Sequence, residues 1–268
     1  MRILLTGAAG NLGTSLIGSR ASAFVPLGRS DWPRLPEILE SGIDAVVHAA
    51  WDLKTPVTQR PEAVLDANLM TTMRLLEACR AQGVTKFAFV SSCAVYGEGM
   101  DTAEDAACCP VTVNGITKLL NERIVQAFYA DLGIDCQIYR VFNMFGGTDH
   151  FSVLSRLRNA LDNETPFTLN NAGVAQRDFI HVDDVARIVM TLLPMELPGV
   201  YINVGTGRAT RISDIVSVVQ RLQPRLRIER TSISEAAYSR ADIGRLSSIV
   251  EGLRFVDVMD FVERAFSD

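Results

Sequence analysis

The chain has 268 residues, enough for one large α/β core with a smaller C-terminal lobe, and is 48% hydrophobic and 21% charged, the balance of a globular protein without disordered or repetitive tracts. Its net charge of −5, with acids and bases interspersed, excludes a general nucleic-acid-binding surface but permits a local basic pocket for a small anionic ligand. Five cysteines without paired metal-ligand spacing, the absence of any run of about 18 apolar residues, and a start lacking a leader's charged and apolar regions predict reduced thiols, no membrane span and a cytoplasmic location.

In chain order, Arg2–Thr6 is a short apolar strand that ends in a glycine turn, and the residues after Gly10 open a helix. A second strand is expected over Ala23–Leu27. Pro33 and Pro36 make the stretch from Asp31 to Ser41 an irregular excursion with a short helix. Asp44–Ala49 reads as the third strand. Pro61 then suits a first helical position, with Leu65, Leu69, Met73 and Leu76 forming the face expected to pack on the sheet. Phe87–Ser92 is the next strand. Ile116, Leu120, Ile124 and Phe128 mark a further amphipathic helix, and Cys136–Val141 follows as a strand. This alternation predicts a Rossmann-type doubly wound parallel sheet over residues 1–146. Over 147–268 the alternation fades into a helix near Ser152–Leu161 and short segments at Asp178–Ile180 and Tyr201–Val204, read as a substrate lobe interleaved with the last sheet strands.

The turn Gly7-Ala8-Ala9-Gly10-Asn11-Leu12-Gly13 follows a strand and opens a helix. Its glycines let the backbone approach a diphosphate, whose charge the helix N–H groups stabilise. The second strand ends Leu27-Gly28-Arg29 rather than in an acid, which favours a ribose 2′-phosphate and predicts NADP over NAD. Neither His48 nor His181 has a histidine at metal-ligand spacing, and no metal is assigned.

Six further blocks follow the turn: His48-Ala49-Ala50, the run opening at Asn68, Ser91-Ser92-Cys93-Ala94-Val95-Tyr96-Gly97, Arg140 to Gly146, Arg177 to Asp184, and Asn203 to Gly207. Together with the glycine spacing they resemble the extended short-chain dehydrogenase/reductase family, the nucleotide-sugar epimerases, dehydratases and ketoreductases. The resemblance implies an NAD(P)-dependent enzyme acting on a nucleotide-diphosphate sugar, with ketoreduction slightly favoured for so short a chain. It also implies a homodimer through the helices around Leu65–Cys79 and Ile116–Phe128, where Met70, Ala81, Leu119 and Ala127 could supply an outer apolar face.

By the same resemblance Gly7, Ala9, Gly10, Asn11, Leu12, Gly13, Arg29, His48, Ala49, Ala50, Asn68, Lys118 and Val141 serve the cofactor. Ser92, Cys93, Asn143, Arg177 and Arg240 serve the substrate. The catalytic set is Ser92, Asn114 and Lys118, and here the chain departs from the pattern: Asn114 stands where the family has the tyrosine of YxxxK. An amide has no titratable proton near neutral pH. Tyr96, Cys93 or a water held by Asn114 are then the candidate proton donors, and a catalytically silent dinucleotide-binding sensor is the alternative reading.

Overall fold

The computed structural model describes residues 1–52, 60–98, 101–132, 134–197, 200–233 and 237–267. Six strands form one parallel sheet in the order Val200–Val204, Asp135–Val141, Lys86–Ser92, Ala45–His48, Ile3–Thr6, Phe24–Leu27. The sequence boundaries for the first five of these in the chain agree to within one residue. Both faces are covered, so the strands are apolar along their length rather than alternating. Ile3 and Leu5 pack with the helices Asn11–Arg20 and Val182–Leu192, and Leu4 and Val46 with the helix Thr71–Ala81. The proline-containing stretch becomes a 3₁₀ turn, Arg29–Arg34, and a short helix, Leu35–Glu40, with no strand, as expected.

The helix faces differ from the sequence reading. From Pro61 to Ala81 the chain is helical throughout, with a π-helical turn at Asp66–Met70, and its inner side carries Val64, Asn68, Thr72, Leu75, Leu76 and Cys79; of the expected face Leu76 is fully buried, while Leu65 is exposed. On the helix Val113–Leu132 the buried positions are Thr117, Lys118, Asn121, Glu122 and Val125; Ile116 and Leu120, expected to face the sheet, are 52% and 44% exposed. Lys118 and Glu122 find hydrogen-bond partners on distant strands, whereas Thr117 and Asn121 bond carbonyls of their own helix. Pairing offsets the burial of Lys118 and Glu122; of the expected stripe, Ile124 and Phe128 do pack against the core beside the sheet, and only Ile116 and Leu120 at its start are left outside. Leu119, expected on the outer face, packs inward against the cluster of Val95 and Tyr96.

Beyond Gly146 the chain returns to the central sheet through Val200–Val204. It also builds a second core around Phe145, Leu157, Phe179 and Val219. There the strand Gln176–His181 is paired by Asn143–Phe145, Ala209–Arg211 and Tyr238–Ala241. Phe167–Asn170 pairs with Ile228–Thr231. Among the described residues no helix is long and apolar enough to cross a membrane.

Candidate functional site

The strands Ile3–Thr6 and Ala45–His48 lie side by side in register Thr6 to His48. Their following segments meet at a crevice where the strand order reverses, the usual ligand position of an open parallel sheet. Gly7 turns there with φ +73°, and a Cβ on it would lie 2.7 Å from the main chain of Ala49 and Ala50. On Gly13 a Cβ would fall 2.2 Å from the Gly7 carbonyl oxygen. Gly10 is the N-cap of the helix Asn11–Arg20 and offers no side-chain cap, so the first N–H groups face outward unsatisfied by protein. That cradle fits a diphosphate. Asn11 braces it, donating to the Gly146 carbonyl at 3.0 Å and accepting from the Thr148 N–H at 2.8 Å. Leu12 and Val141 are part of the core beneath.

His48 and Asn68 support the site from behind. Thr6 Oγ1 lies 2.7 Å from His48 Nδ1 and Thr72 Oγ1 lies 2.9 Å from Nε2, so both ring nitrogens are engaged within the protein. Burial, with Lys118 nearby, holds the imidazole pKa down to about 3, and it stays neutral. Asn68, in the π-turn, accepts from the Asp52 N–H at 2.7 Å and donates to the Asp52 carbonyl at 3.1 Å. The segment after the Ala49-Ala50 pair is thereby pinned to the helix.

Lys118 points to the end of the strand Lys86–Ser92, where its Nζ donates to the Val90 carbonyl at 2.6 Å. It is buried, and desolvation lowers its pKa to about 7 against the opposing pull of Glu122. Its ammonium sits 3.6 Å from the centre of the Trp51 ring and 4.8 Å from that of Phe89. Trp51 Nε1 donates to Asn114 Oδ1 at 2.8 Å. Lys118, Asn114 and Trp51 are therefore one contact group, of which Trp51 lines the same cleft as Ser92, while Asn114 and Lys118 are not among the cleft-lining residues. Tyr96 does not belong to it: its hydroxyl donates to Asn203 at 2.7 Å and accepts from Arg140 at 3.0 Å, and burial pushes its pKa up to about 12. This removes Tyr96 from the candidate proton donors. Cys93 does line the cleft, though burial raises its thiol to about 11.

A cleft of about 810 Å³ runs from Ala9, Gly10, Asn11 and Arg29 past Trp51, Ser92 and Cys93 to Asn143 and Arg177. Asn143 is held by a 2.9 Å bond to the Asp178 carbonyl. Asp178 itself is structural, its carboxylate accepting from the N–H groups of Thr206, Gly207 and Ala241 and so closing the Asn203-to-Gly207 block onto the Arg177-to-Asp184 block. Arg240 sits on the strand Tyr238–Ala241, its carbonyl bonded to Thr102, and is not among the cleft-lining residues. The cleft also takes in Trp51, His150, Arg156 and the strand Phe167–Asn170, none of which the sequence reading singled out. Trp51 directly follows the His48-Ala49-Ala50 block, the one signal that could have found it.

The chain matches the NAD dependent epimerase/dehydratase family over residues 3–205. It is 26% identical over 268 aligned residues to the UDP-glucose 4-epimerase of Azospirillum brasilense, covering 82% of this chain and 77% of that protein. Identity is also 26% over 189 residues with an uncharacterized UDP-glucose epimerase of Bacillus subtilis; the match takes in 68% of this chain but only 60% of the relative's length. Among solved structures, the UDP-glucuronic acid 4-epimerase from Bacillus cereus, in complex with UDP-glucuronic acid and NAD, superposes with a TM-score of 0.86 at 25% identity, covering 98% of this chain and 97% of that one.

Proposed function

Because the chain belongs to the NAD dependent epimerase/dehydratase family, we propose that it holds a nicotinamide dinucleotide on the Gly7–Gly13 turn and a nucleotide-diphosphate sugar in the cleft beyond Ser92, as an epimerase, dehydratase or 4-ketoreductase. The observation that carries this reading is the glycine cradle opening into a cleft lined by Ser92, Asn143 and Arg177. When bound, the nicotinamide exchanges hydride with a sugar carbon. The chain's own part is to bind and orient. The turn and the helix N-terminus take the diphosphate, Arg177 offers a guanidinium to the second diphosphate, and Ser92 stands at the reacting oxygen. Lys118 is the nearby cation, and Asn114 can hydrogen-bond that oxygen without exchanging a proton. A second reading, a dinucleotide-binding protein without turnover, is favoured by the indole bond that occupies Asn114 Oδ1.

Arg29 lines the cleft beside Gly28, which has no side chain to repel a 2′-phosphate. The Asp31 carboxylate nearby, which accepts the Gly28 N–H at 2.9 Å, opposes such a phosphate, and the Arg29 guanidinium is the charge that favours it. We therefore infer NADP(H) as the preferred cofactor. In calorimetric titrations with both dinucleotides, followed by UDP-glucose, NADP(H) should bind more tightly, and Arg29→Ala should weaken it about tenfold or more while leaving NAD(H) nearly unchanged, the loss of one charge-assisted contact. Tighter binding of NAD(H) refutes the preference, and binding of neither refutes the cofactor.

The exposed Leu65, Met70, Val113, Ile116 and Leu120 all lie on the two neighbouring helical segments, which supports a homodimer through them. Light scattering at micromolar concentration should find a dimer, and an Ile116→Glu/Leu120→Glu variant should be monomeric and folded. A monomeric parent protein would exclude this interface.

A further inference from the structure

Trp51 lies outside the residues that carry the family resemblance, yet it is where the cleft, Asn114 and Lys118 meet. The indole lines the cleft, its N–H bonds Asn114 Oδ1 at 2.8 Å, and its ring stands 3.6 Å from the Lys118 ammonium. Behind Lys118 the Val90 carbonyl and the Phe89 ring complete the enclosure. Of these enclosing groups Trp51 is the one that faces the cleft. Asp52, the next residue, is bonded through its main chain to Asn68, so the indole is anchored at both ends.

We propose that Trp51 is a positioning residue of this site: its ring caps Lys118 against solvent, and its N–H fixes the Asn114 amide with the oxygen turned to the indole and the two N–H bonds left to donate. The consequence is a lysine kept dry behind the indole and an amide whose N–H bonds, not its oxygen, are left for a ligand oxygen that reaches past Trp51. A carbonyl oxygen, which only accepts, suits such donors better than a hydroxyl that must also give up its proton. The proposal rests on reading Lys118 and Asn114 as the reaction corner, but its test requires no ligand.

Two ionisable groups act on the Lys118 charge: Glu122 from its own helix, itself engaged by Arg140, and His48 from the strand Ala45–His48, which stays neutral. Neither is altered by changes at Trp51. Removing the cap lets water reach the ammonium and returns its titration toward the ordinary range of a lysine.

The chain contains three lysines, Lys54, Lys86 and Lys118, so competitive acetylation read by mass spectrometry as a function of pH resolves each amine, with Lys86 as the internal reference. In Trp51→Ala the midpoint of Lys118 acetylation should rise by about one pH unit or more. Asn114→Ala, which releases the indole without removing it, should raise it by less. Trp51→Phe retains a ring over the ammonium and should leave it in place. If Trp51→Ala is poorly folded, the contrast between Asn114→Ala and Trp51→Phe decides alone. An unmoved midpoint in Asn114→Ala and Trp51→Ala, or an equal rise in Trp51→Phe, overturns the cap. Should the midpoint move as expected while the parent protein binds neither NAD(H) nor NADP(H), the cap stands and the cofactor reading falls.

Discussion

Replacing Asn114 by tyrosine and Trp51 by alanine together should raise turnover by about 10²–10⁴-fold, the usual worth of a positioned acid/base. Tyrosine at 114 alone meets an obstacle, because the Trp51 indole nitrogen lies only 2.8 Å from the amide oxygen it would displace. Removing the indole makes room, and the new ring can resume the covering of Lys118. Residues 114 and 118 are one helical turn apart on the helix Val113–Leu132, so the ammonium lowers the phenol pKa while the phenol remains free to give and retake a proton. The measurement is conversion of UDP-glucose in excess, with the dinucleotide supplied, read by chromatography of the nucleotide-sugar products in parent, single and double variants, since an epimerase or dehydratase returns its hydride to the sugar and leaves nicotinamide absorbance unchanged. Dinucleotide affinity should change little. Ordinary turnover in the parent, with a slower double variant, would show that another group carries the proton. His150, which lines the cleft, would be the next residue to replace.

The central sheet was legible because a strand buried on both faces is an apolar run, and Ile3, Leu4 and Leu5 are all fully buried. The glycine turn was legible for a similarly local reason: Gly7 and Gly13 leave no space for a Cβ. Helix orientation was not. A period of 3.6 assigns apolar residues inward, yet Asn68, Thr72, Lys118 and Glu122 are buried alongside Val64, Leu75, Leu76, Cys79 and Val125. What permits this is long-range pairing, as between Thr72 and His48, 24 residues apart, which leaves no mark on local periodicity.

The site divides along the same line. Ser92, Asn143 and Arg177 from the motif blocks, and Arg29 from the end of the second strand, line the cleft, whereas Asn114, Lys118 and Arg240 are not among its lining residues. Tyr96, one of the three candidate proton donors, bonds Asn203 and Arg140 instead. The Trp51–Asn114 bond joins residues 63 apart. Phe167–Asn170 is only four residues long, too short for its alternation to stand out.

The second large effect concerns the ion pair beneath the site. Glu122→Leu should destabilise the protein by about 3–5 kcal/mol in urea unfolding, because it leaves a buried guanidinium without its counter-charge. Arg140 and Glu122 side chains are 3% and 0% exposed, with Nη2 to Oε2 at 2.8 Å and Nε to Oε1 at 3.1 Å. Ser91 donates to the same carboxylate, and Arg140 Nη1 reaches the Tyr96 hydroxyl and the Glu104 carbonyl. The pair thus ties the strand Lys86–Ser92 and the helix of Lys118 to the segment at Glu104. Removing both charges should cost far less than removing one: Glu122→Leu/Arg140→Met deletes the uncompensated charge along with its partner, and such swaps are often near neutral. Because Glu122 supports the Lys118 charge, both variants should also shift Lys118 acetylation to lower pH, whatever their stability. A Glu122→Leu protein within about 1 kcal/mol of the parent, below the range for a broken buried pair, would show that water reaches Arg140 and that the pair does not hold these elements together.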